Sequence, residues 1–127
     1  MQDQLDAVAA FHKAFAVAVS EKPTTNIPKD LAQLRHRLMA EENDEYFQAV
    51  KAHDLVEVAD ALGDMLYILC GTILTHGMQH IIEDVFTEIQ ASNMSKLGAD
   101  GKPIYRADGK VMKGPHYHKP NLQQFLN

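Results

Sequence analysis

The chain has 127 residues, 46% hydrophobic and 23% charged, with a net charge of −5; that is the expectation for one soluble globular domain with a single sizeable core. No apolar run approaches the roughly 18 residues of a membrane span, and the opening MQDQLDAVAA lacks the basic and apolar regions of a secretory signal. The lone Cys70, inside YILCGTIL, has no partner for an internal disulfide and reads as inert packing, so the expected compartment is the cytoplasm. In chain order, Leu5, Val8, Phe11, Phe15 and Val19 recur at spacings of three and four, which predicts an amphipathic helix over residues 3–20. EKPTTNIPK follows as a loop with two prolines. Asp30, or the residues just before it, caps a second helix running to about residue 53. Asp54 opens a third, LVEVADALGDMLYILCGTILTH, which Gly77 ends. Ile81, Ile82, Val85, Phe86 and Ile89 mark a fourth over about 79–92. No stretch alternates long enough for a core strand, so the predicted fold class is all-α, with four main helices over residues 1–92 and an extension over 93–127 in one domain.

The extension opens with two tandem octets, ADGKPIYR (99–106) and ADGKVMKG (107–114). Each carries Asp-Gly, a turn signal, so a loop, a small hairpin or a disordered tail is expected, and Tyr105 and Tyr117 favour docking over disorder. Residues 1–92 carry a net charge of −9 and residues 93–127 one of +4. An acidic body of this kind argues against nucleic-acid binding, which needs a basic surface against phosphate.

Negative charge concentrates in RLMAEENDEYFQAV, residues 37–50. On a helix, Leu31, Leu34, Leu38, Ala49 and Ala52 fall within one arc, and Glu41, Glu42 and Glu45 fall on or beside it, whereas Asp44 points elsewhere. Carboxylates on a buried stripe are costly unless something compensates them, most economically a divalent cation. On the third helix Glu57, Asp60 and Asp64 share a side opposite Leu55, Val58, Leu62, Leu66, Leu69 and Ile73. From Met65 to Leu74 that helix is apolar nearly all round, which predicts burial on both sides. If helices two and three pack antiparallel, the two acidic clusters face each other across a cleft; surface charge on a partly wet groove is the alternative. An all-carboxylate set suits Mg²⁺ first and Mn²⁺ second. Glu-x-x-His, His-Glu-x-x-His, Walker-loop and Gly-x-Ser-x-Gly patterns are absent.

The segment EENDE, read as Glu-Glu-x-x-Glu and followed by EVADALGDMLYIL, resembles the all-α nucleoside triphosphate pyrophosphatases. These are the MazG-like enzymes, whose relatives include phosphoribosyl-ATP pyrophosphohydrolase and the dimeric dUTPases. The tail SNMSKLGADGKPIYRADGKVMKGPHYHKP is similar to the extended C-terminus of bacterial and phage MazG-like members. The resemblance implies a four-to-five-helix bundle and Mg²⁺-dependent hydrolysis of a nucleoside triphosphate between its α and β phosphates. Carried onto this chain, it implies metal ligands Glu42, Glu45, Asp60 and Asp64, with Glu57 in reserve because Glu57-Val-Ala-Asp60 is the literal match to the Glu-x-x-Asp that follows Glu-x-x-Glu in the family's pattern. Glu41 or Glu42 would orient or deprotonate the attacking water. Asn93, Lys96, Arg106, Lys113 and Tyr117 in the extension would contact substrate, closing over phosphates that the acidic body repels. The assembly implied is a homodimer or a tetramer. Phosphoribosyl-ATP pyrophosphohydrolase, whose compact core lacks this extension, is the enzymatic alternative, and a non-catalytic acidic groove the other. No motif reads the base; its pocket would draw on Phe11, His12 and Phe15.

Overall fold

Four α-helices form close to where the apolar spacings put them: α1 Gln2–Ala14, α2 Lys29–Lys51, α3 Leu55–Thr75 and α4 Ile82–Met94, with a short 3-10 turn at Gln123–Phe125. The computed structural model describes residues 1–126, and among these no strand is formed, so the fold is all-α. The chain divides into two compact units, Met1–His80 and the stretch from Ile81 onward. Charge and composition change only later, at residue 92, within α4.

In the first unit α1 is shorter than its apolar pattern suggests. Phe15 N–H bonds Phe11 O at 2.9 Å, Val17 N–H bonds His12 O at 2.8 Å, and Ala16 turns the chain away with φ +56°. The segment beyond runs against the end of α3, where Ser20 N–H meets Leu74 O at 3.0 Å and Thr24 N–H meets His76 O at 3.0 Å. Helix α2 starts after Pro28 with no side-chain cap, and Asp30 lies in its first turn, where its charge suits the helix dipole. Asp54 caps α3 as expected, its Oδ1 accepting the Glu57 N–H at 3.1 Å. The intervening turn is tight: Asp54 N–H bonds Ala49 O at 3.0 Å and His53 takes φ +54°. So short a connection makes α2 and α3 antiparallel neighbours.

The core of this unit is Leu5, Val8, Ala49, Ala61, Cys70, Ile73 and Leu74. Cys70 is a free, buried thiol whose pKa burial raises, as inert packing requires. The leucine stripe expected to form the core of α3 is instead largely open. Leu55 is 80% exposed and Leu62, Leu66 and Leu69 are more than two-fifths exposed, because α3 turns its acidic side, with Ala61 and Thr72, toward α2. Burial of Met65–Leu74 on both sides therefore does not occur within one chain. Nor does the expectation hold that nothing approaches a membrane span. Helix α3 has 21 residues and an 18-residue window of mean hydropathy 1.4, enough by length and composition to cross a membrane, with only 33% of that window buried. Its acids, Glu57, Asp60 and Asp64, lie in the first half.

In the second unit the tail docks along α4. Ser92 Oγ–H donates to His118 O at 2.8 Å, His118 N–H donates to Ser95 Oγ at 3.1 Å, and Asn121 N–H reaches Glu88 Oε1 at 2.9 Å. The tandem octets form a small hairpin, bridged at Tyr105 and Val111, with Met112 N–H to Ile104 O at 2.7 Å and Arg106 N–H to Lys110 O at 2.8 Å. Its neck is closed by Gly114 N–H to Lys96 O at 2.8 Å.

Candidate functional site

The seam between α2 and α3 gathers the carboxylates. Glu42 is half-buried and its Oε2 is screened from solvent with no hydrogen-bond partner. Its pKa is pushed up to about 7, first by burial, then by a hydrogen bond shared with Glu45 and by the negative charges of Glu45, Asp64 and Asp60. Antiparallel packing explains the grouping: Glu42 and Glu45 are one turn apart on α2, Asp60 and Asp64 one turn apart on α3. Toward the connecting turn the seam opens into a groove of 470 Å³ lined by Asp44, Glu45, Gln48, Ala49, Ala52, Asp54 and Glu57, within the size range of small-molecule sites. Glu45 thus belongs to both groupings, beside Glu42 and in one groove with Glu57. Glu41 faces outward, exposed, with its Oε1 4.0 Å from Arg37 Nε.

Family resemblance implies a divalent cation, and the seam suits one in donor chemistry. It offers only carboxylate oxygens, one of them buried without a partner, and burial together with the neighbouring negative charges raises the Glu42 pKa to about 7. Among the described residues no three His, Cys, Asp or Glu side chains already converge as a cation cluster. The raised Glu42 pKa has a consequence for the metal-free protein. The protonated carboxyl is favoured by folding, so this group's contribution is full below about pH 4.5 and is lost as pH rises through about 7. Melting curves of wild type and Glu42→Gln across pH 5–8 are expected to show wild type losing stability relative to the variant as pH rises, and saturating Mg²⁺ is expected to erase the difference.

The extension residues sit in the second unit. Asn93 is exposed on α4, and its carbonyl accepts the Lys96 N–H at 3.2 Å. Lys113 Nζ lies 4.9 Å from the Tyr117 ring centroid. Arg106 is committed to its own hairpin, its guanidinium donating through Nε and Nη2 to both oxygens of Asp108 and holding that carboxyl below the usual range. In the first unit, Phe11 and Phe15 are exposed and stacked at 4.4 Å, with Tyr67 edge-on to Phe11 at 5.7 Å. His12 points the other way and is only 2% exposed, which removes it from any surface pocket. Sequence reasoning passed over Arg35, which is buried against α3. Its signal was its spacing, four residues after Leu31 and seven before Glu42, which puts a cation on the apolar arc.

Three comparisons bear on this geometry. The family model for phosphoribosyl-ATP pyrophosphohydrolase matches residues 8–93. Among solved structures, one from Exiguobacterium sp. 255-15, named provisionally as an NTP pyrophosphohydrolase, is 30% identical with a TM-score of 0.51, over 94% of this chain and 90% of its own. No curated protein matches the chain.

Proposed function

Because this chain belongs to the phosphoribosyl-ATP pyrophosphohydrolase family, within the superfamily that holds the MazG-like enzymes, we propose that it is a Mg²⁺-dependent nucleotide pyrophosphohydrolase. It adds water across the bond between the α and β phosphates of a (deoxy)nucleoside triphosphate and releases the monophosphate and pyrophosphate. The observation that carries this reading is the grouping of Glu42 with Glu45, Asp60 and Asp64 across one helix seam. Glu42, Glu45, Asp60 and Asp64 would hold the cation, with Glu57 of the adjoining groove in reserve; Mn²⁺ would substitute. When bound, Mg²⁺ would neutralise the triphosphate and stabilise charge that develops on the phosphoryl oxygens. Glu42 orients the attacking water and takes its proton, with Glu41, turned out beside Arg37, the second choice. The resemblance implies substrate contacts for Asn93, Lys96, Arg106, Lys113 and Tyr117 of the second unit, where the Arg106 guanidinium is bonded to Asp108. The stacked Phe11 and Phe15 offer π faces to a base, beside Tyr67, which is edge-on to Phe11 and one turn along α3 from Asp64.

The test is product analysis by ion-exchange chromatography after incubation with each NTP, each dNTP and phosphoribosyl-ATP, with Mg²⁺, Mn²⁺ or EDTA. Monophosphate with pyrophosphate from one nucleotide, lost in EDTA, is the expected result. Turnover of phosphoribosyl-ATP alone would select the narrower activity in the matching family model's description. No turnover, together with salt-sensitive and metal-independent binding of basic partners, would leave a non-catalytic acidic groove.

The open face of α3 supports a second copy as its cover. Leu55, Leu62, Leu66 and Leu69 are exposed in one chain, while three acids punctuate the same helix and disfavour a lipid phase. A homodimer, or a tetramer of two dimers, in the cytoplasm is the proposed assembly. Light scattering after gel filtration is expected to give at least twice the 14.2 kDa chain mass.

A further inference from the structure

Three helices meet at one buried polar point in the first unit. Arg35 of α2 is 8% exposed and donates Nη2–H to the Ile68 carbonyl of α3 at 2.8 Å and Nε–H to Thr72 Oγ1 at 3.1 Å. Thr72 Oγ1–H in turn donates to Ile68 O at 2.9 Å. His12 of α1 closes the group. Gly71 leaves room for both, since a Cβ there would stand 2.5 Å from Arg35 Nη2 and 2.9 Å from His12 Nε2. Burial lowers the His12 pKa, opposed by a backbone hydrogen bond at Ala18 and aided by the Arg35 charge, and an imidazole in any case brings no negative charge to answer the guanidinium. Among the described residues no carboxylate pairs with Arg35. A buried guanidinium answered only by a carbonyl and a hydroxyl is a poor source of stability, and an apolar side chain of similar volume commonly serves as well or better. Stability therefore does not account for it.

Position does. Arg35 stands seven residues before Glu42 on α2, and Ile68 stands four after Asp64 on α3, so the pin lies about two turns, or ~10 Å, from Glu42 along α2 and about one turn, or ~6 Å, from Asp64 along α3. The acids are thus bracketed, with the tight turn at Ala52–Asp54 on one side and Arg35 on the other. Between these ends Glu42, Glu45, Asp60 and Asp64 repel one another and drive the helices apart or along each other. A leucine at position 35 would let α3 slide, whereas a planar fork bonded to a defined carbonyl and hydroxyl would not. We propose that Arg35 is a positioning residue, which through Ile68 and Thr72 sets the register of α3 against α2 and so keeps Glu42 and Glu45 opposite Asp60 and Asp64. This rests on the reading of those acids as a cation site.

The test is calorimetric titration of Mn²⁺ into wild type, Arg35→Met, Arg35→Lys and Thr72→Val, with the melting temperature of each metal-free protein and kcat on the preferred nucleotide. Arg35→Met is expected to melt at or above the wild-type temperature yet bind Mn²⁺ at least about tenfold more weakly, the scale on which supporting partners of metal sites act. Its kcat is expected to fall in parallel. Arg35→Lys, with a point charge in place of the fork, should recover part of both, and Thr72→Val should weaken binding by less than Arg35→Met. A folded Arg35→Met with wild-type Mn²⁺ affinity overturns the proposal, whatever its melting temperature. If Arg35→Met does not fold, Thr72→Val decides: weaker Mn²⁺ binding at an unchanged melting temperature supports the pin, and unchanged binding overturns it. If wild type itself binds no Mn²⁺, this inference and the cation site fall together. Normal binding by wild type and variants alike removes the pin alone.

Discussion

Glu45→Gln is expected to reduce kcat/KM by at least about a thousandfold, a loss of roughly 4 kcal/mol of transition-state stabilisation, while the protein stays folded. Glu45 is the one carboxylate common to both groupings of the seam, beside Glu42 and in the same groove as Glu57. Glutamine keeps its size and removes its charge, so any cation shared among these oxygens loses a central ligand. The same change removes one of the charges opposing Glu42, so the metal-free variant should melt no lower than wild type, and higher at alkaline pH. Steady-state kinetics with circular dichroism melts check both halves. Retained activity in Glu45→Gln would remove the seam from catalysis, and an unfolded variant would mean that Glu45 is structural. Glu41→Gln is the internal contrast. An exposed i,i+4 pair with Arg37 contributes about 0.3–0.5 kcal/mol, so its loss should leave stability nearly unchanged, and its effect on kcat reports directly whether Glu41 takes part with the water.

Gly77→Ala is expected to be the most damaging small substitution in the first unit, costing about 3–5 kcal/mol from backbone strain and overpacking together and lowering the melting temperature by roughly 10–20 °C. Gly77 follows the last residue cap of α3 at φ +69°, with its N–H on Leu74 O at 3.1 Å. A Cβ there would stand 2.1 Å from the Lys22 carbonyl oxygen and 2.5 Å from its carbon. Those are backbone atoms, held by the bonds that tie residues 20–24 to the end of α3, so they cannot swing aside. Gly109 separates the two causes, having φ +86° with nothing within 4 Å of its Cβ. Gly109→Ala should show the left-handed strain alone, about 1 kcal/mol. Equal melting shifts for the two alanine variants would overturn the close-approach explanation.

Local chemistry carried much of this protein in the order of its residues. Four apolar periods, the Asp54 cap, the Gly77 stop and the Asp-Gly turns act over a few neighbours, and they yield the helices and turns expected of them, with α1 alone ending short of its period. The gathering of Glu42, Glu45, Asp60 and Asp64 was legible for a related reason, since helical spacing and a three-residue turn leave α2 and α3 little choice but to lie side by side. Tertiary packing decided the rest. Periodicity marks a leucine stripe on α3 but not its cover, and within one chain that stripe is open while Ala61, Cys70 and Gly71 are buried. The end of α1 at Ala14 depends on hydrogen bonds that residues 17–24 make with His12 O, Leu74 O and His76 O, partners up to 54 residues away that no local window contains. The same holds for Arg35 and His12, whose burial follows from three helices meeting at Gly71. A residue type states what bonds a side chain can make; only the fold determines which partners come within reach, and here that choice turned a surface-looking arginine into the buried bond between the two helices that carry the acids.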